Sequence, residues 1–246
     1  MKNQYFGDIN DYKKYALLRL LSNSGEMKIA VCWMLTADDQ RSEGQRITYL
    51  SQPTKWRMYD AALFDRLLPC LTDPTKRNVS WAEIAEVVPG AKYYTELLID
   101  NRFERERYFR ELGEFVRTCD LTFFDPDNGL EVKSKPYGRR DSSKFLYWRE
   151  LERVWADGQS ILLYQHFRRE ERAEFTRAIA ADIQQRLRTS DVITFSTAHV
   201  LFVLVPQMQH RAHCLQQSER VAQVWGSTIE VRHWEHPLEE LPQSGI

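Results

Sequence analysis

Residues 121 to 129 read LTFFDPDNG, a short apolar strand from Leu121 to Phe124 that runs without a joint into the polar turn Asp125-Pro126-Asp127-Asn128-Gly129. A strand this apolar is buried on both faces, the condition of parallel sheets covered by helices on each side. The flanking segments carry the same pattern. Residues 29 to 35 (IAVCWML) are another continuous apolar run, and residues 102 to 118 form a strongly charged amphipathic helix. Downstream, a helix from about 143 to 156 leads into the strand SILLYQ at 160 to 165, a long helix at 169 to 188, and the strands 191 to 196 and 199 to 205. Upstream, residues 11 to 22 form an opening helix with Tyr15, Leu18 and Leu21 on one face and Asp8 or Asn10 available as N-cap. A helix is expected near 60 to 71, another at 81 to 88 behind a Ser80/Glu83 capping-box pattern, and a strand at 92 to 99. Alternating strands and helices specify a three-layer α/β domain with a mostly parallel sheet, and the two adjacent late strands specify an antiparallel pair near the C-terminus. One domain spanning 1 to 246 accommodates the whole pattern.

Composition narrows the function classes. With 43% apolar and 28% charged residues and only 10 Gly and 9 Pro, disordered and fibrous chains are excluded. No stretch approaches the roughly 18 apolar residues of a membrane span, and the opening MKNQYFGDINDYKK is polar, so a soluble cytoplasmic protein is expected. Cys32, Cys70, Cys119 and Cys214 lie far apart with no Cys-x-x-Cys pair, which reads as buried thiols. A formal charge of -1 rules out a surface that is basic throughout but leaves room for a local patch. The densest is Val132 to Lys144, where Lys133, Lys135, Arg139, Arg140 and Lys144 face the single acid Asp141. Such a segment is either a solvated loop or a contact surface for nucleic-acid phosphates.

Ligands of open α/β sheets bind outside the carboxyl ends of the strands, which makes residues 125 to 131 and 165 to 169 the first candidates for a shared cleft. The residues of Asp125 to Gly129 are also ordinary turn formers, but two carboxylates and Glu131 gathered at the tip of so apolar a strand favour a site. His166, in Tyr164-Gln165-His166-Phe167-Arg168-Arg169, is expected at the start of a helix, where the dipole and two arginines favour an anion and lower the imidazole pKa. His199 begins an apolar strand; it and His210, His213, His233 and His236 read as surface residues with no metal-ligand spacing. Asp38, Asp39 and Glu43 are a weaker acidic cradle, and Tyr5, Phe6, Tyr12 and Tyr15 read as packing under the first helix before base stacking. A second chemistry fits the same acids: Asp125, Asp127 and Glu131 holding Mg2+, with Lys133 or His166 assisting phosphodiester hydrolysis. Glu131-Val132-Lys133 has the E-x-K form of restriction-type nucleases, although those spread their acids across a hairpin.

Three segments carry a resemblance. Gly7-Asp8-Ile9-Asn10-Asp11-Tyr12-Lys13-Lys14-Tyr15 resembles the G-N-x-A-D-x-x-K-H opening of the bacterial 23S ribosomal RNA adenine-N6 methyltransferase family, with Asp11, Lys14 and Tyr15 at its Asp, Lys and His. Asp125-Pro126-Asp127-Asn128 resembles its D-P-P-Y signature, and Leu163-Tyr164-Gln165 followed by Arg169 its W-Y-P-x-x-x-R segment. The chain is also similar to a group of uncharacterised bacterial cytosolic proteins carrying YFGD and DPDNGLE. The resemblance implies a Rossmann-like, S-adenosylmethionine-methyltransferase-like fold and methylation of an amine in nucleic acid or a related molecule. It also implies catalytic roles for Asp125, Asp127, Asn128 and His166, and cofactor contacts from Asp8, Asp11, Lys14 and Arg169. Two departures bear on this. No glycine-rich turn follows IAVCWML, where bare backbone normally meets the cofactor. Asp127-Asn128 also replace Pro-Tyr, so the ring that stacks on a flipped base is missing. A catalytically silent binding protein of the same fold is the remaining alternative.

Overall fold

The computed structural model describes residues 1–38 and 46–235. The chain opens with helix α1 (Ile9–Ser22), followed by β1 (Ile29–Cys32), the short helices α2 (Pro53–Trp56), α3 (Ala61–Leu67), α4 (Pro69–Thr72) and α5 (Ser80–Ile84), and then β2 (Lys92–Tyr94). Next come α6 (Arg102–Val116), β3 (Leu121–Phe124), the two-residue strands β4 (Gly129–Leu130) and β5 (Phe145–Leu146), and α7 (Trp148–Ala156). The last part runs β6 (Ser160–His166), α8 (Arg172–Leu187), β7 (Asp191–Ser196), β8 (Val200–Val205), α9 (Arg211–Trp225) and β9 (Glu230–Glu235).

Seven strands form one sheet in the order β2-β1-β3-β6-β8-β7-β9. β2, β1, β3 and β6 pair in parallel. β8 runs antiparallel to both β6 and β7, and β9 antiparallel to β7, so five strands point one way and two the other. Side-chain alternation along the strands builds two cores. Ile29, Val31, Phe123, Leu162 and Phe202 pack with α1, α3 and α9 on one face. Ala30, Cys32, Phe124, Leu163 and Val203 pack with α6, α7 and α8 on the other. This is the three-layer, Rossmann-like α/β fold expected from the apolar runs, including the late antiparallel pair. β1 is followed in chain order by its neighbour on one side, β2, and later by its neighbour on the other, β3, so the sheet's topological switch point lies between β1 and β3. All four cysteines are free and buried. Among the described residues no helix is long and apolar enough to cross a membrane.

Local details differ from the sequence reading where tertiary contacts outweigh periodicity. The helix expected from 143 begins at Trp148, because Phe145-Leu146 pair in parallel with Gly129-Leu130 instead. The fully buried Arg105 guanidinium enforces this: it donates to the carbonyls of Ser142 (2.8 Å) and Phe145 (2.5 Å) and forks onto Glu150 at 2.5 and 2.8 Å. Glu150 in turn accepts from the Tyr147 N–H (2.9 Å), which closes the start of α7. The strand expected over 92 to 99 stops at Tyr94. Ser80 is the first residue of α5 and not its cap; Asn78 Oδ1 accepts from the Ser80 N–H (3.0 Å). α8 starts at Arg172, not 169. β9 carries too few apolar residues to be read in advance, and its Glu230, Arg232 and Glu235 suit the exposed edge it occupies.

Truncating one partner of the Arg105–Glu150 pair strands a charge in the interior, which costs about 3–5 kcal/mol. Glu150→Ala is therefore expected to lower the free energy of unfolding in urea by that amount; a loss below about 1 kcal/mol would show that the pair does not organise the α6–α7 layer.

Candidate functional site

The opening helix starts next to the sheet's carboxyl edge because Gly7, in the left-handed region (φ 86), turns the chain into Asp8. The Asp8 carboxylate then caps α1, accepting from the N–H groups of Asn10 (2.7 Å) and Asp11 (3.0 Å). One turn later Lys14 points inward and is almost completely buried. Its ammonium donates to Asp11 Oδ1 at 2.6 Å and to Asp125 Oδ2 at 2.7 Å, joining the first helix to the tip of β3 across 111 residues of chain. Four rings surround it: Tyr164, Tyr15, Trp33 and Phe123 lie 5.4 to 5.9 Å from Nζ.

Burial alone would push the Lys14 pKa down, but Asp11 and Asp125 outweigh it and hold the ammonium above its ordinary value. Asp11 is raised by burial, with Lys14 opposing. Asp8, raised first by burial and then by the Asp11 charge, reaches about 7. Asp127 is held below its usual range although burial opposes this, because the Met1 ammonium lies 2.8 Å away and Thr36 Oγ1 donates at 3.0 Å. The turn itself is tied to β6 by Gln165. Its Oε1 accepts from the Leu130 N–H (2.8 Å), and its Nε2 donates to the carbonyls of His166 (2.8 Å) and Asn128 (3.2 Å). Gly129 passes so close to this amide, at φ 110, that a Cβ there would collide with it.

These groups line a cleft of about 870 Å3 at the carboxyl ends of β3 and β6. Asp8, Asp11, Lys14, Asp125, Asp127, Asn128 and His166 all face it. Arg169 does not: it is exposed on the segment before α8. Because α8 begins only at Arg172, the helix dipole expected to lower the His166 pKa is not beside it. The imidazole is lowered instead by lost hydration, against the pull of Asp125 and Asp127, and it stacks edge-on to Tyr164. Glu131 is separate from Asp125 and Asp127; its carboxyl, raised by burial, accepts from the Trp148 N–H at the start of α7. Among the described residues no group of three or more ligating side chains is placed to hold a metal ion, so the Asp125/Asp127/Glu131 set for Mg2+ does not form. Of the acidic cradle, Asp39 and Glu43 lie outside the described residues, as does His236, and Asp38 accepts from the Gln4 N–H at 3.4 Å. Phe6, Tyr12 and Tyr15 are core residues.

The rim of the cleft is basic. Arg46, Lys144, His166 and His199 line it, while Lys2, also a lining residue, is buried. His199 is exposed, as a surface reading expects, and the β7–β8 turn also places it among the residues lining the cleft. His210, His213 and His233 are also more engaged than a surface reading implies, bonding Ser160, the Leu21 carbonyl and Asp191. In the 132–144 segment, Asp141 is clamped by Lys135 (2.7 Å) and Lys144 (2.9 Å), which leaves Lys133, Arg139 and Arg140 as its exposed cations. The β1 tip has no glycine, yet its turn is made in the left-handed region by Met34 at φ 47.

No family model matches the chain, and no curated protein matches it. Among solved structures it is similar to protein LPL1258 from Legionella pneumophila, described as family-model DUF519, with a TM-score of 0.44 and 6% identity over 94% of this chain and 97% of that one.

Because Asp8 binds its proton more tightly folded (about 7) than unfolded (near 3.8), it lowers stability as pH rises through that window. Asp8→Asn keeps a capping oxygen and removes the titration. The melting temperature of the variant relative to wild type is expected to climb between pH 4 and 7 and level off above; a flat difference would show that Asp8 is not held protonated.

Proposed function

We propose that the protein is a cytoplasmic S-adenosylmethionine-dependent methyltransferase acting on an amine of a nucleic acid. The observation that carries this reading is the state of Asp125. Lys14 fixes one carboxylate oxygen, while Oδ1 accepts no hydrogen bond among the described residues and the Asp125-Pro126 segment lines the cleft at the carboxyl ends of β3 and β6. An unspent carboxylate oxygen beside the Pro126 carbonyl suits the two N–H groups of an exocyclic amine.

The donor set also fits the cofactor. The acids Asp8, Asp11, Asp125 and Asp127 outnumber the Lys14 and Met1 ammoniums set among them, an excess that suits a sulfonium. When bound, S-adenosylmethionine supplies an electrophilic methyl group on a good leaving group. The protein's own contribution is then alignment and charge. Asp125, held rigid by Lys14, orients the acceptor nitrogen; Asp127 and Asn128 border the same pocket; Asp8, with a pKa near 7, is suited to take the proton that the methylated amine releases. Of the rim, Arg46 and His199 would face the phosphates of the acceptor, with Lys144 shared with Asp141. With no aromatic residue at Asn128, the rings that line the cleft are Tyr5 and Tyr164, the latter also walling in the Lys14 ammonium.

Titration calorimetry with S-adenosylmethionine and S-adenosylhomocysteine, followed by transfer of labelled methyl to oligonucleotides, tests the proposal. The wild type is expected to bind the cofactor at micromolar concentration. Asp125→Asn, which keeps the side chain's shape, is expected to lose about 100-fold in rate with cofactor affinity nearly intact. No cofactor binding to the wild type at millimolar concentration would sink the assignment.

A further inference from the structure

A second cleft of about 590 Å3 lies next to the first. Three pairs of consecutive residues straddle the wall between them. Lys14, His166 and His199 face the first cleft, while Lys13, Phe167 and Ala198 face the second. The two hollows therefore share α1, the end of β6 and the β7–β8 turn.

The charges in the second cleft do not cancel. Lys13, Arg172 and Arg232 outnumber its two acids: Glu230 pairs with Arg232 (2.6 Å), and the ionised Glu171, turned to the N–H groups of Ala173 (3.0 Å) and Glu174 (2.7 Å), forms no ion pair with Lys13 or Arg172 among the described residues. Lys13 and Arg172 remain. Lys13 is 7% exposed, yet its ammonium donates only to the Thr228 carbonyl (3.2 Å) and forms no ion pair among the described residues. Burying an ammonium without a counter-charge is costly, and burial pushes its pKa down. An anion entering the cleft would remove that cost. Arg172 stacks on Phe167 (4.9 Å), which orients its guanidinium without neutralising it. The same positive field extends to the first cleft: after burial, the charges of Arg46, Lys13 and Arg172 hold the His199 imidazole low, and no acid opposes them.

We propose that Lys13 and Arg172 form a phosphate-binding subsite in this second cleft, and that a nucleic-acid strand runs from the methylation cleft over His199 into it. The identity of the ligand rests on the function proposed above; the uncompensated charge does not. A phosphodiester beside Lys13 supplies the missing negative charge, and Ser196 lines the same space, whereas the Thr197 and Thr228 hydroxyls already donate to the Val200 and Trp225 carbonyls. Holding the strand at a second point would fix the register of the nucleotide presented to Asp125.

Binding of a fluorescent single-stranded oligonucleotide, measured by anisotropy without cofactor over a range of salt concentrations, tests this. Lys13→Met and Arg172→Gln are each expected to weaken binding roughly three- to tenfold and to reduce the slope of log affinity against log salt by about 0.7. Lys13→Met replaces a buried charge with an apolar chain of similar length, so its melting temperature should not fall. Arg172 is exposed, so its substitution keeps the test available even if the first variant unfolds. Arg110→Gln, at a surface cation lining neither cleft, should change nothing. The subsite is overturned if the wild type binds no oligonucleotide, if the two variants bind like wild type, or if Arg110→Gln weakens binding as much as they do. Intact oligonucleotide binding without cofactor binding would overturn the methyltransferase reading and leave this subsite standing.

Discussion

A single ammonium, that of Lys14, has lost nearly all contact with water and is satisfied by Asp11 from its own helix and Asp125 from the middle of the sheet. Such a group tolerates little displacement. Moving α1 away from β3 would leave a buried cation and at least one buried carboxylate without partners, each at a cost of several kcal/mol. The aromatic box of Tyr15, Trp33, Phe123 and Tyr164 excludes water, which strengthens the ion pairs and makes the geometry exacting. A hydrophobic trio would pack there with less penalty. The charge retained in the core fixes Asp125 at the cleft through one carboxylate oxygen, and the other accepts no hydrogen bond among the described residues.

The electrostatics divide that cleft into two zones. Its floor is acidic, with Asp8 poised near neutrality, and its rim is basic. A near-zero net charge conceals this separation, since opposite charges cancel in the sum while remaining apart in space. Under the proposed function the cationic cofactor would lie below and the polyanionic acceptor above. The ties that maintain it are local: Gln165 stitches the Asp125–Leu130 turn to β6, and Arg105 holds the following 142–150 segment against α6 and α7.

Much of the architecture was legible in the sequence because apolar runs such as IAVC, LTFF and SILLY can be buried only in a sheet covered on both faces. The site was partly legible for a related reason. Polar residues placed at the end of such a run, as in Asp125-Pro126-Asp127-Asn128, must emerge at the sheet's edge, and His166 follows the same rule. The opening-motif residues Asp8, Asp11 and Lys14 were found by resemblance; helical spacing shows only that Asp11 and Lys14 share a face. Arg169 lies off the cleft because α8 starts three residues later, at Arg172, and Glu131 because the pairing of β4 with β5 carries it toward α7. His199 and Lys13 carried no local signal at all: one sits in a hairpin turn, and the other stands on a helix beside a lysine of opposite fate.

The sequence by itself determined which segments are buried and in what order strand and helix follow, since hydrophobic period is a property of neighbouring residues. It also determined that acids collect at a strand end. Only the tertiary structure decided which acid meets which base, that Lys14 is a core residue while Lys13 opens onto a second cleft, and that Glu131 leaves the cluster. Those outcomes depend on strand order and on contacts across a hundred residues or more, where the strength of each charge is set by how much water the surrounding chain excludes.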